Sequence, residues 1–194
     1  QVLFYGAGSA GYAAAAVSVA APDALVLVIP PQSTLDPALA RWDSRSPEAR
    51  RLDFSTRFGY EPMMVETASD VFVLHDPSVT EDAMHASLFS GDNTTHLTCD
   101  YVGPDAHRAL MAMDILPDLI EQAMDGALTP SGYADLWRSR RLHMPYLRTL
   151  MHRLEAEGRH DLLLARLGRH VGQNGKRPIF SKKLAELEAR GVTL

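Results

Sequence analysis

Ser9, Asp76 and His107 follow one another in chain order, and each lies directly after a run that reads as a β-strand. A hydroxyl, a carboxylate and an imidazole are the parts of nucleophilic acyl transfer: the histidine takes the serine proton as general base, and the carboxylate orients the ring. Ser9 sits in Gly6-Ala7-Gly8-Ser9-Ala10-Gly11, with Ala7 and Gly11 two places to either side. Neighbours this small suit the tight strand-to-helix turn that lifts a nucleophile above a sheet, and the Ala10 amide would then serve as an oxyanion donor. The same six residues also spell G-x-G-x-x-G, in which backbone amides cradle a dinucleotide pyrophosphate. That use ranks lower, because the next strand ends in Ile29-Pro30-Pro31-Gln32 and offers no carboxylate to a ribose. Each candidate also has a plain structural job open to it. Ser9 can cap a helix, Asp76-Pro77 can form a turn, and Asp105 can cap a helix whose first turn carries His107.

The elements that must position these residues follow from apolar patterning. Strands are expected at 2–5, 24–29, 70–75 and 95–102, the first three as near-continuous apolar runs of the kind covered on both faces in a parallel sheet. Helices are expected at 10–21, in a broken stretch within 36–66, at 79–90 and at 105–125. The alternation predicts an α/β fold with a mostly parallel sheet and right-handed crossovers. Beyond Gly126–Gly132 no strand pattern returns. Apolar residues recur at helical spacing instead, interrupted at Pro145 and Gly158, and Ser181 reads as the N-cap of a last helix. The division expected is an α/β domain over 1–128 and a helical extension over 129–194.

On "VLFYGAGSAGYAA", "VIPPQSTLD", "RLDFSTRFGY" and "VFVLHDP…DAMHA" the chain resembles the C-terminal half of an α/β-hydrolase, from the nucleophile strand onward, over roughly residues 1 to 125. It looks most like a bacterial group whose elbow reads Tyr-Gly-x-Ser-x-Gly-Gly-Tyr. The resemblance implies a sheet lacking its first strands and a site built from Ser9, Asp76 and His107. Aligned through Tyr5-Gly6 and Gly11-Tyr12, however, the serine of that pattern falls on Gly8, with Ser9 one place later. The expected function is therefore a serine hydrolase or acyltransferase acting on an ester or thioester. The alternatives are a catalytically silent hydrolase-like binding or scaffold module and a nucleotide-binding domain using the glycine turn.

Composition bounds the partners. The 194 residues are 46% hydrophobic, enough for a substantial core. The longest uncharged apolar stretch, Tyr12 to Ala21, is shorter than a membrane span, and the one cysteine, Cys99, cannot form an internal disulfide. A cytoplasmic protein without a membrane segment is expected, with a small acyl compound as substrate and no cofactor. An open sheet edge calls for a further N-terminal segment or a second copy to cover it. The histidines show no metal-ligand spacing, so no metal is expected. His85, three residues after Asp82, reads as a solvated helical ion pair. Arg41, Arg45, Arg50, Arg51 and Arg57 read chiefly as partners of Asp43, Glu48 and Asp53. Charge is segregated: residues 1–135 hold 6 Lys/Arg against 19 Asp/Glu, whereas 136–194 hold 13 against 5. The basic tail has few aromatics among its arginines, so it is expected to pack its Leu136, Trp137, Leu147, Leu150, Met151 and Leu154 stripe on the acidic body rather than bind nucleic acid.

Overall fold

The computed structural model describes every residue except 56, 57, 174, 176 and 194, and of residues 49 and 50 the backbone alone. Four apolar runs form one parallel sheet in sequential order: β1 (Leu3–Gly6), β2 (Leu25–Val28), β3 (Asp70–His75) and β4 (Thr94–Thr98). The register pairs Leu3 with Leu25, Leu25 with Asp70 and Val71 with Thr94. Every residue of β2 is buried, as two-sided coverage requires. Val26, Val28, Val71 and Val73 point to the face where Phe4, Ala15, Ala86 and Phe89 pack. Leu25, Leu27, Phe72 and Leu74 alternate with them onto the opposite face and are equally withdrawn from water. Each such aliphatic side chain contributes roughly 1.5–3 kcal/mol relative to exposure, so the two central strands anchor the unit.

Helix α1 (Ser9–Val17) packs on β1 and β2, and α3 (Thr80–Ser87) packs on β3. Between β2 and β3 the chain is mostly extended or turned, with 3₁₀ turns at Pro47–Arg51 and Val65–Thr67 and one short helix, α2 (Glu61–Met64). The helix expected over 105–125 is two helices, α4 (Ala106–Ala112) and α5 (Leu116–Met124). Asp114 adopts a left-handed φ of 59°, which ends the first, and Pro117 in the opening turn of α5 suits a new start. Strand β4 stops at Thr98, earlier than expected, and Cys99 follows it fully buried. Helix α6 (Pro130–Trp137) is capped by the Thr129 hydroxyl, and its Tyr133 hydroxyl donates to the Thr98 carbonyl at 2.9 Å, joining the helix to the end of β4.

The chain divides into two compact units, Gln1–Ser139 and Arg140–Leu194. The second is helical: α7 (Met144–Glu157), α8 (Asp161–Gln173) and α9 (Pro178–Ala189), with α8 in contact with both others. Helix α7 ends at Gly158 in the left-handed conformation that glycine adopts without penalty. Apolar residues spaced three and four apart, including Leu147, Met151, Leu154, Leu164, Leu167 and Val171, are buried. A Cβ on Gly168 would lie 3.1 Å from the Leu184 Cβ, so α8 and α9 approach closely there. Ser181 is not the cap of α9. The helix already begins at Pro178, whose fixed φ suits a first turn. Among the described residues no helix is long and apolar enough to cross a membrane.

Candidate functional site

Carboxyl ends of parallel strands face one rim of the sheet, and four chain segments leave that rim side by side. The turn after β1, the segment Ile29–Gln32 after β2, Asp76 after β3 and the loop at Gly103–Asp105 after β4 come together there. A pocket of 470 Å³ opens among them, lined by Ala7, Gly8, Ser9, Pro30, Pro31, Gln32, Arg45, Ser46, Asp82, Pro104, Asp105 and His107.

The opening turn has its strained point at Gly8, the N-cap of α1, with φ 52° and ψ −122°. This region of backbone space excludes most side chains through the clash of Cβ with the backbone. Ser9 is the first residue of α1, exposed and on the pocket wall. The Ala10 amide donates to the Ala7 carbonyl at 3.0 Å and is thereby engaged within the turn. Gly6 lets the helix start so close to the strand: a Cβ there would fall 2.3 Å from the Ala10 carbonyl oxygen.

Asp76 is fully buried. Its Oδ1 accepts the Ser78 amide at 2.8 Å and the Ser78 hydroxyl at 2.7 Å, while Oδ2 accepts the Gly103 amide at 2.7 Å. The carboxylate therefore ties the end of β3 to the loop after β4. Asp105 caps α4 by accepting the Arg108 amide at 3.2 Å, which sets His107 in the first turn of that helix. The His107 ring lies against Tyr5, centroids 5.9 Å apart. Ser9 and His107 thus share the pocket wall, and Asp76 is not among the residues that line it.

Comparison of the chain with protein-family models, with curated proteins and with solved structures gives no match.

The strongest polar cluster at this rim is one that sequence spacing did not assemble. His85 is wholly buried, with Nδ1 2.9 Å from the Ser33 Oγ and Nε2 2.9 Å from Asp43 Oδ2. An ionised Asp43 only accepts, so Nε2 carries the proton and Nδ1 receives the Ser33 hydroxyl. Arg45 grips Asp43 through both Nε and Nη2, at 3.0 and 2.8 Å, and reaches Asp82 Oδ1 at 2.6 Å. The expected solvated pair between Asp82 and His85 is therefore replaced by a buried network in which each binds a different partner. Burial alone would raise the Asp43 carboxyl, but hydrogen bonds from Arg45 and His85 outweigh it and hold it well below the usual carboxylate range. Burial pushes His85 down more than Asp43 lifts it, so the ring stays neutral, and burial pushes Asp82 up against the pull of Arg45. The sequence signal for the pair Asp43 and Arg45 was their proximity in the chain. Nothing local linked Ser33 to a histidine 52 residues later.

Glu61 was also invisible to pattern reasoning. It is fully buried at the start of α2, and neither carboxylate oxygen has a hydrogen-bond partner among the described residues. Burial raises its pKa well above the ordinary value. Among the described residues no group of three or more His, Cys, Asp or Glu is placed to hold a metal ion.

Proposed function

We propose that the first unit is a hydrolase-like module that binds a small polar molecule at the carboxyl rim of its sheet and forms no acyl intermediate on Ser9. The observation that carries this is Gly8 at φ 52°, ψ −122°: the strained apex of a strand-to-helix turn is the place from which an elbow presents its nucleophile, and here it bears only hydrogen. Sequential parallel strands with Ser9, Asp76 and His107 after the first, third and fourth agree with the hydrolase-like reading, as does the alignment that puts Gly8 in the serine position. The pocket keeps hydrogen-bonding walls in Ser9, Gln32, Ser46, Arg45 and His107, which suit a polar guest. A second reading, an active serine hydrolase using Ser9, His107 and Asp76, is favoured by the shared position of Ser9 and His107 on the pocket wall.

Fluorophosphonate labelling read by peptide mass spectrometry separates the two. The binding-module reading expects no adduct on the native chain and an adduct on the introduced hydroxyl of Gly8→Ser, weakened when His107→Ala is added. A Cβ at position 8 meets no atom within 4 Å beyond its chain neighbours, so the added side chain has space and the cost is that of the positive φ. An adduct on Ser9 of the native protein refutes the silent module. Binding itself is tested by NMR titration with short acyl amides and polyols. Saturable shifts at Ser9, Gln32 and Ser46 support it, and no saturable ligand response at these residues rejects it.

A further inference from the structure

The second unit holds a separate cleft with its own chemistry. It occupies 210 Å³ between the segment after Arg140, the start of α7, the end of α8 and the approach to α9, and its lining includes Arg141, Met144, His170 and Arg177. An adjoining recess of 50 Å³ shares Met144 and Arg177 and adds Arg148 and Ile179. Among the described residues no acidic one lines either space. Elsewhere in this unit cations meet carboxylates: Arg159 lies by Glu157, Lys183 by Glu155 and Glu186, and Arg190 by Asp161. Among the described residues the guanidinium groups of Arg141, Arg148 and Arg177 have no such partner. The His170 Nε2 donates to the Arg141 carbonyl at 3.1 Å, which fixes that backbone against α8. Leu142, on the wall of the larger space, and Ile179, on that of the smaller, stand 73% and 56% exposed.

We propose that this cleft binds an organic phosphomonoester, with its phosphate among Arg141, Arg148 and Arg177 and its apolar substituent along Leu142, Met144 and Ile179. Three guanidinium groups without internal counter-ions favour a dianion over a monoanion, because a carboxylate would leave most of that charge unmatched. Guanidinium also fits phosphate through paired N–H donors, which an ammonium cannot copy. The exposed leucine and isoleucine favour a phosphate carrying an apolar group over the free ion. This site is independent of the pocket in the first unit.

The test is calorimetric titration of the full chain with phenyl phosphate, inorganic phosphate and benzoate at low and moderate salt. Phenyl phosphate is expected to bind at least about tenfold more tightly than either other probe, with affinity falling as salt rises. Arg141→Gln with Arg177→Gln should weaken it about tenfold or more, and Arg159→Gln, at the other end of α7, should leave it unchanged. Melting temperatures of the variants guard against misfolding, and the Arg148→Gln single variant supplies an independent second reading. Flotation with vesicles of phosphatidylcholine, with and without phosphatidic acid, distinguishes the two sources of the ligand. Phenyl phosphate binding without flotation assigns a soluble phosphomonoester, and flotation that needs phosphatidic acid and the same arginines assigns a lipid headgroup. Absence of both overturns the proposal, as does equal loss of binding in Arg159→Gln, which would mark diffuse charge. Arginine-dependent binding of single-stranded nucleic acid with no affinity for phenyl phosphate also overturns it.

Discussion

His85 bridges Ser33 and Asp43, each at 2.9 Å, and so fastens the long segment after β2 to helix α3 from inside the protein. Removing the ring in His85→Ala takes one hydrogen bond from Asp43, which Arg45 still holds, and leaves the buried Ser33 hydroxyl without its partner. The expected loss is about 2–4 kcal/mol, from the unpaired hydroxyl and the space the ring leaves. Urea unfolding of the native and variant chains measures it. A loss no larger than that of an exposed control such as Thr149→Ala would show that the bridge is not formed.

The same network sets an acid limit. Asp43 has a folded pKa below its unfolded value, so its contribution is present above about pH 4 and is lost as pH falls. His85 is also depressed, so the unfolded chain binds its proton first and stability begins to fall below about pH 6.5. Thermal melts across this range should show a descending limb that flattens in His85→Gln. An unchanged slope would contradict the assignment of a neutral, buried ring.

Glu61 acts in the opposite direction. Its folded pKa is raised, so its contribution is favourable below the unfolded value near pH 4.3 and diminishes as pH rises toward the folded pKa. Glu61→Gln keeps the shape and removes the ionisation, and it should raise the melting temperature at neutral pH. The expected gain is about 2–4 °C for each kcal/mol recovered. Destabilisation on that substitution would mean that the carboxylate is used in its charged form.

Two glycines of the opening turn should respond differently to alanine. At Gly6 an added Cβ lies 2.3 Å from the Ala10 carbonyl oxygen, so the turn must open, and Gly6→Ala should cost more than about 3 kcal/mol or prevent folding. At Gly8 the Cβ meets open space and only the positive φ is penalised, by about 1–3 kcal/mol. Circular-dichroism melts of both variants decide the order.

The Cys99 thiol is buried, and burial raises its pKa far out of the reactive range. Iodoacetamide at neutral pH should leave it untouched in the native protein and label it fully in urea. Rapid native labelling would place the segment after β4 in water.

Patterning in the sequence determined the parallel α/β sheet, because β2 and β3 must be apolar on both faces to survive burial, and the runs at 24–29 and 70–75 say so without help from the rest of the chain. It also determined that the last third is helical, from the spacing of Leu147, Met151 and Leu154. It placed Ser9, Asp76 and His107 after strands, and Asp105 as a cap, because these are local matters of order and turn chemistry. What it could not determine was the register of the turn, since Gly8 and Ser9 are both sterically acceptable and only the backbone dihedrals assign the strained apex to one of them. Nor could it decide the break at Asp114, where a left-handed residue interrupts an otherwise continuous apolar pattern. The polar interior lay furthest from view. Ser33, Asp43, Asp82, His85 and Glu61 look like surface residues in one dimension, and they become a buried network and a buried acid only when the segment after β2 folds back against α3 and α1, because burial is a property of neighbours distant in the chain.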